Sequence, residues 1–216
     1  VLTGLPAAWG VFQQPVMDEY GLSEQGAGYA FGILIAAFGV GCVIGGFLQD
    51  KHGPRCAGLW GTALLCGGFF AAAMLPGGSA GTFFLAFSIP AGLGTAFLYP
   101  SIQSCAQKWY AGRKGLATGV IGGAVGLSGA FLTVFVRTAV SGFGIVQGIR
   151  GAFWALGAIT LPVCLAGSLL LQDPPESRQN QQGSGKNEID LSPWQMLKTK
   201  QYWLCAGAVC FSTPAV

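Results

Sequence analysis

The sequence predicts an all-α membrane protein, in which six transmembrane helices form a bundle and a seventh helix begins. Charged residues make up 9% of its 216 residues, whereas soluble proteins carry about 25%. Hydrophobic residues make up 52% of the chain, and the mean hydropathy is +0.56. The 36 glycines follow no Gly-X-Y repeat, which excludes a collagen. The high hydrophobicity excludes a disordered chain.

The few charged residues leave long uncharged runs between them. A spanning helix needs about 17–25 mostly apolar residues, and the runs are residues 1–17, 25–49, 56–107, 115–136, 151–172 and 201–216. The third run is long enough for two spans, and Pro76 with the glycines that follow it marks a break. The six predicted spans are therefore residues 1–17, 28–48, 56–75, 82–107, 115–136 and 151–171.

The predicted spans divide the chain into a bundle over residues 1–171, a linker over 172–200 and the start of a seventh span over 201–216. Pro174 and Pro175 end the sixth span, because proline cannot continue a helix. The Gln, Asn, Ser and Gly residues that follow are typical of a flexible linker, and Ser192-Pro193 favours the start of a short interfacial helix. Both ends lie inside apolar runs and the first residue is not Met, so we expect a piece of a longer polytopic protein.

Lysine and arginine are distributed unequally between the two sides of the predicted bundle. One side carries only Arg137 and Arg150, and the other carries Lys51, Arg55, Lys108, Arg113, Lys114, Arg178, Lys186, Lys198 and Lys200. The positive-inside rule makes the richer side cytoplasmic, so the loops after spans two, four and six are expected there. The net charge of +3 therefore reflects topology, and a nucleic-acid partner is not indicated.

The sequence indicates no metal site, cofactor or catalytic centre. The seven cysteines lie in or at the ends of apolar runs without a C-x-x-C pair, so we expect them to act as small apolar residues. The single histidine, His52, lies in a polar turn, and every Asp and Glu is expected at a helix end or in a loop. The spans therefore hold no proton relay. Arg137 and Arg150 either snorkel to the interface or draw anions towards the outer side.

Two predicted spans carry glycines along one helical face. At 100° per residue, the glycines that share a face are Gly28, Gly32, Gly39 and Gly46 on span two, and Gly115, Gly119, Gly122, Gly126 and Gly129 on span five. Such faces let a neighbouring helix approach closely. Packing alone explains them, and packing surfaces that also rock during a conformational cycle explain them as well.

Polar side chains follow one face of span four, where they are candidates for the lining of a cavity. Polar groups within a bilayer need partners or a wet cavity, and those on this face are Ser88, Thr95, Tyr99 and Gln103. On span one the candidates are Trp9, Phe12 and Gln13, which combine aromatic and amide character. Ordinary packing and hydrogen bonding between helices is the alternative for both groups.

The turn between spans two and three carries a recognisable motif. It reads Gly46-Phe47-Leu48-Gln49-Asp50-Lys51-His52-Gly53-Pro54-Arg55, which resembles the signature loop of the major facilitator superfamily, G-x-L-x-D-[RK]-x-G-x-[RK]. In this interpretation Gly46 permits close packing, Asp50 caps and pairs with cations, and Gly53 makes the turn. Lys51 and Arg55 then hold the loop on the cytoplasmic side.

A second motif narrows the resemblance to one branch of that superfamily. The connection from Lys108 to Gly119, which contains Trp109, Arg113 and Lys114, is similar to that of oxalate:formate antiporters and monocarboxylate transporters. The resemblance implies the N-terminal half of a twelve-helix transporter, whose missing half packs on the glycine faces and whose two bundles rock around a midplane site.

The function implied by this branch is secondary active or facilitative transport of small organic anions, monocarboxylates or oxalate-like compounds, with the lipid bilayer as the surrounding medium. Pro174-Pro175-Glu176-Ser177 is similar to a sugar-porter sequence, so a transporter of sugars or other neutral solutes is an alternative. A receptor or scaffold member of the same fold, which transports nothing, is another. An enzyme is not expected, because the spans contain no catalytic constellation.

Overall fold

The computed structural model describes residues 5–75, 80–143 and 145–172, and the regular structure within these ranges is entirely helical. Its helices are α1 (Leu5–Tyr20), α2 (Glu24–His52), α3 (Pro54–Met74), α4 (Ala80–Phe83), α5 (Ile89–Trp109), α6 (Lys114–Phe143) and α7 (Ile145–Leu170). A π-helical segment, Phe84–Ser88, joins α4 to α5, and a 3₁₀ turn, Ala111–Arg113, precedes α6. The prediction of an all-α membrane fold is confirmed.

Five stretches of helix are long and apolar enough to cross a bilayer: Glu24–His52, Pro54–Met74, Gly81–Trp109, Lys114–Thr138 and Ile149–Leu170. They correspond to the predicted spans two to six. The helix of predicted span one, α1, has 16 described residues. At 1.5 Å per residue this is about 24 Å, which is shorter than the hydrocarbon core of about 30 Å.

Several predictions fall outside the described residues. They include the break at residues 76–79, nearly all of the linker over 172–200, its interfacial helix and the seventh span. Contacts within the chain separate Val1–Pro174 from Pro175–Val216, and the described helices all belong to the first of these units. The domain boundaries therefore stay a prediction.

The helices extend further than the uncharged runs on which the predicted spans were based. The clearest case is α2, which begins at Glu24 and continues through Asp50 and Lys51 to His52. Ser23 is its N-cap, because the Ser23 side chain accepts a hydrogen bond of 3.1 Å from the Gly26 amide. Charged residues at the two ends of a spanning helix can reach the polar interface while the backbone stays helical.

Helices α3 and α5 pack closely against each other, and glycine makes this contact possible. A Cβ atom built on Gly94 of α5 would lie 2.5 Å from the Leu65 nitrogen and 2.7 Å from the Gly61 oxygen of α3. On the other side of α5, a Cβ on Gly92 would lie 2.5 Å from the Leu34 oxygen of α2. Only glycine allows such close approach of two helix backbones.

An aromatic cluster fills the middle of the bundle. Phe87 of the π-helical segment lies at its centre, with ring centroids 5.2 Å from Phe83 and from Phe153 and 5.8 Å from Phe69. All four side chains are fully buried. Aromatic pairs at these separations are favourable beyond the area that they bury, so the cluster joins α3, α4, α7 and the π-helical segment.

Candidate functional site

The motif at residues 46–55 consists of the end of one helix and the start of the next, and a single residue joins them. The sequence had predicted a longer turn. Residues 46–52 are the last part of α2, and Pro54 is the first residue of α3. Gly53 between them has φ +85°, a conformation that glycine adopts without strain, and its amide donates a 2.8 Å hydrogen bond to the Gln49 oxygen. Pro54 suits the first position of a helix because it has no amide hydrogen to satisfy.

The charged residues of this motif have different surroundings. Asp50 and Lys51 are exposed, and the Asp50 carboxylate has no ion-pair or hydrogen-bond partner among the residues that the structure describes. Asp50 does not cap α3, since Gly53 is its N-cap and no side chain bonds there. Arg55 does make a contact: its Nε donates a 2.9 Å hydrogen bond to the Leu171 oxygen just beyond α7. We call this side of the bundle the signature-loop end, and the opposite side the far end.

The second motif, which follows span four, also contacts the end of α7. The indole nitrogen of Trp109 donates a 2.7 Å hydrogen bond to the Gln172 oxygen, which also accepts a 3.2 Å bond from the Cys105 sulfur. Gln107 connects this region to α6 through a 3.0 Å hydrogen bond to Thr118. The two motifs found in the sequence therefore converge on the residues where α7 ends, a meeting that spacing along the chain could not reveal.

The residues on the polar face of span four differ in how deeply they are buried. The Thr95 hydroxyl donates a 2.8 Å hydrogen bond to the Ala91 oxygen in its own helix, while Tyr99 packs against Phe38 with ring centroids 6.5 Å apart. Gln103 is half-buried. Ser88 is fully buried, and its hydroxyl oxygen has no hydrogen-bond partner within the described residues.

Ser88 is thus the exception on this face, because a buried hydroxyl without a partner is costly. It is also the last residue of the π-helical segment Phe84–Ser88, and π-helical turns inside α-helices are often found at functional sites. The π-helical segment itself was not predicted. Its residues before Ser88 are apolar, as in an ordinary spanning helix, so composition gave no signal for it.

The three candidates on span one are directed largely towards other aromatic side chains. Trp9 is 6% exposed and lies between Phe31 and Phe87, with centroid separations of 6.0 and 6.4 Å. Phe12 is fully buried and stacks on Phe153 at 5.8 Å. Gln13 is half-buried. A lining role for these residues stays a prediction, and in this conformation Phe12 presents no accessible surface.

Nearly all glycines of the predicted faces have open surroundings within the described part of the chain. Gly129 is buried, but for the other eight a built Cβ atom would find no atom within 4 Å apart from the nearby backbone of its own helix, and the eight are Gly28, Gly32, Gly39, Gly46, Gly115, Gly119, Gly122 and Gly126. The close contacts instead use other glycines, such as Gly61 and Gly94. Packing of these eight glycines is therefore not observed among the residues that the structure describes, and packing of the faces against another bundle stays a prediction.

An ion pair that the sequence did not reveal lies at the far end. Arg150 of α7 is 2.5 Å from Glu19 of α1, measured from Nε to Oε1, and the Glu19 side chain is only 3% exposed. The neighbouring Tyr20 hydroxyl donates a 2.7 Å hydrogen bond to the Ala72 oxygen of α3. Arg150 is therefore paired, where a snorkelling or anion-attracting side chain was expected. Glu19 does lie at a helix end as expected, although its carboxylate is buried.

Within the described ranges, His, Cys, Asp and Glu side chains form no group of three or more that could hold a metal ion. The sites on these helices are therefore made of aromatic rings, amides, hydroxyls and helix-end cations. In chemical terms, they suit non-covalent recognition of a solute and changes in helix packing.

Comparisons with known protein families agree with the sequence motifs. The family model described as Major Facilitator Superfamily matches residues 3–216. The oxalate:formate antiporter of Oxalobacter formigenes is 24% identical over 208 residues, which are 94% of this chain and 47% of that protein. Human monocarboxylate transporter 2 is 26% identical over 202 residues, which are 92% of this chain and 41% of that protein. The chain thus spans less than half the length of these relatives.

Solved structures support the same fold. A crystal structure of a mutant of the peptide transporter POT matches with a TM-score of 0.56 at 24% sequence identity. The match covers 97% of this chain and 44% of that protein. At this level of identity the likeness concerns the arrangement of the helices, and it carries no information on the solute.

Proposed function

Because the chain belongs to the Major Facilitator Superfamily, we propose that the protein is a transporter of small organic anions that works by alternating access. Monocarboxylates and oxalate-like compounds are the proposed solutes. Two relatives support this solute class by their names, the oxalate:formate antiporter and monocarboxylate transporter 2. The connection between Lys108 and Gly119 supports the same branch.

The observation that carries the alternating-access proposal is the exposure of α2 and α6. Over their most apolar windows these two helices are 17% and 22% buried, the lowest values of the five spans, compared with 28% for Ile149–Leu170 and 56% for both Pro54–Met74 and Gly81–Trp109. Their exposed surfaces include the glycine faces of predicted spans two and five. A glycine face gains little from contact with lipid, whereas it allows a second helix to approach closely. These surfaces therefore suit a second bundle that rocks against the first.

Ser88 is the residue of the polar face that we propose contacts the solute or its water. Its buried hydroxyl has no partner within the described residues, so a hydrogen bond that forms during transport would remove the cost of leaving it unsatisfied. Trp9, Gln13, Thr95, Tyr99 and Gln103 are proposed to surround the same path as the bundle opens.

We further propose that the signature-loop end faces the cytoplasm. This follows from the unequal distribution of Lys and Arg along the sequence and from the positive-inside rule. Of the described cations, Arg137 and Arg150 belong to the far end, where Arg150 already pairs with Glu19. The cation that binds the anionic solute is therefore expected in the part of the protein that packs on the glycine faces.

Uptake into proteoliposomes tests the proposal. Vesicles that contain the purified protein are supplied with labelled lactate, oxalate or glucose, and we expect saturable uptake of at least one anion and none of glucose. Uptake of glucose alone would instead support the neutral-solute alternative. Absence of flux for all three solutes, with the protein folded and inserted, would favour a receptor or scaffold.

A substitution and its matched control test the proposed contact between Ser88 and the solute. Ser88→Ala is expected to raise the KM for the transported anion by about two- to tenfold, the equivalent of one hydrogen bond. Ser101→Ala is the matched control, since Ser101 is equally buried but donates to the Phe97 oxygen of its own helix. An unchanged KM in Ser88→Ala would contradict the proposed contact.

The signature motif is tested in the same assay. Asp50→Ala is expected to reduce transport with little change in membrane insertion. The control is Asp18→Ala, because Asp18 is also exposed but lies near the end of α1, at the far end of the bundle. Wild-type flux in Asp50→Ala would show that the motif does not act as its resemblance implies.

A further inference from the structure

A cavity at the signature-loop end lies between α3, α5 and α7 and has a volume of about 550 Å³. Its walls are mainly aliphatic, and they include Leu65, Leu98, Ile102, Val163, Leu170 and Leu171. The volume lies within the range of about 300–1,000 Å³ that is usual for ligand sites. Of the candidate solute contacts, Thr95 is the one that the lining includes.

The chemistry of the lining does not suit an anionic solute. Among the described residues, no Lys, Arg, His, Asp or Glu belongs to the lining. The Thr95 and Ser168 hydroxyls in it already donate within their own helices, Thr95 to the Ala91 oxygen and Ser168 to the Cys164 oxygen. An anion here would lose its hydration without gaining a cation, whereas a hydrocarbon chain would gain by burial.

The rim of the cavity is aromatic. Trp109 and Tyr110 belong to the lining and are 54% and 60% exposed. The hydrogen bond from the Trp109 indole to the Gln172 oxygen fixes that ring at the end of α7. Tryptophan and tyrosine are enriched where the hydrocarbon of a bilayer meets the headgroups, so we expect the cavity to open at headgroup depth.

Residues with cationic side chains adjoin this rim. Arg55 bonds to the Leu171 oxygen, so its guanidinium reaches a residue of the lining. The Arg113 amide donates a 2.9 Å hydrogen bond to the Tyr110 oxygen, and Lys108 precedes Trp109. Arg55 and Arg113 are both exposed. In the described part of the signature-loop end the acidic residue is Asp50, whereas the basic residues there are Lys51, Arg55, Lys108, Arg113 and Lys114.

We propose that this cavity binds an anionic phospholipid from the leaflet at the signature-loop end. One acyl chain occupies the aliphatic cavity, the glycerol region lies beside Trp109 and Tyr110, and the phosphate lies near Arg55 and Arg113. Basic pockets between transmembrane helices recognise anionic headgroups in this way. The proposal does not depend on which solute is transported.

Native mass spectrometry of the purified protein in detergent tests the proposal, with phosphatidylglycerol and phosphatidylcholine of the same chain length as probes. We expect one phosphatidylglycerol to be retained per chain, in preference to phosphatidylcholine. Arg113→Gln should weaken phosphatidylglycerol binding about fivefold, the usual contribution of one cation near an anionic headgroup. Arg137→Gln, at the far end, should leave it unchanged.

A second pair of variants tests the acyl-chain site. Gly167 lines the cavity and has no atom within 4 Å of a built Cβ, so Gly167→Phe fills the cavity without a backbone clash and should abolish retention. Gly123→Phe is the control, since Gly123 has equally open surroundings and lies outside the cavity. If Gly167→Phe fails to fold, Val163→Trp fills the same space from an exposed position of α7.

Three results would overturn the proposal. Equal retention of the two lipids would show that the headgroup is not recognised. Unchanged retention in both Gly167→Phe and Val163→Trp would place the lipid elsewhere on the protein. Competition by glycerol phosphate alone at the same concentration would show a phosphate site that does not use the acyl chain.

Discussion

Substitution of Gly94 by alanine tests the close contact between α3 and α5. The added methyl group would lie 2.5 Å from the Leu65 nitrogen, 2.7 Å from the Gly61 oxygen and 2.8 Å from the Leu65 Cβ. Two of these atoms are backbone atoms of α3, and the third is attached directly to it. The methyl group can therefore be accommodated only if α3 and α5 move apart.

The expected change in the free energy of unfolding follows from two opposing effects. Overpacking of a well-packed core costs about 1–3 kcal/mol, and the backbone contacts at Gly94 argue for the upper end. Alanine also has a higher helix propensity than glycine by about 1 kcal/mol, which applies equally to a control. Gly123→Ala supplies that control, because nothing lies within 4 Å of its Cβ. The two variants should therefore differ by about 3 kcal/mol in their free energies of unfolding.

Thermal unfolding in detergent, followed by tryptophan fluorescence, measures the difference. For a protein of this size 1 kcal/mol corresponds to about 2–4 °C in Tm, so Gly94→Ala should unfold about 6–12 °C below Gly123→Ala. Equal Tm values for the two variants would refute the reasoning, since α3 and α5 could not then be in backbone contact at this position.

Three further substitutions test contacts at the two ends of the bundle, two by unfolding and one by amide hydrogen exchange. Glu19→Gln should lower the free energy of unfolding by about 1–3 kcal/mol, between the values for exposed and buried pairs. Its effect should be smaller in a protein that already carries Arg150→Gln. Additive effects of the two changes would show that the pair does not interact. Tyr20→Phe removes the hydroxyl donor to α3 and should lower the Tm by about 2–4 °C, as expected for one hydrogen bond. Trp109→Phe should speed amide hydrogen exchange at the end of α7, whereas Trp60→Phe should not; equal exchange in both would argue against the indole contact.

The parts of the fold that depend on the character of whole segments could be predicted from the sequence. Uncharged runs predict the spans, because the bilayer excludes charge from any segment that crosses it. Helix ends were less accurate: Glu24 and Asp50 were taken to lie outside the span, yet both belong to α2. A helix can continue past the hydrocarbon edge while its charged side chains reach water.

The features that depend on two distant segments could not be predicted. Gly94 and Gly61 do not belong to a glycine face that is visible in one helix alone. Glycine is required at these positions only because the backbones of α3 and α5 come into contact there. Glu19 and Arg150 are separated by five helices, so nothing local indicates that they pair. The buried hydroxyl of Ser88 is different again, because its lack of a partner is visible only when every neighbouring side chain is placed.

The single-residue connection at Gly53 has a mechanical consequence. With 29 residues, α2 is about 43 Å long, and one backbone position joins it to α3. A rotation of about 5° at this pivot would move the opposite tip of α2 by about 4 Å, given that length. A small disturbance at one membrane surface is thereby amplified into a displacement at the other.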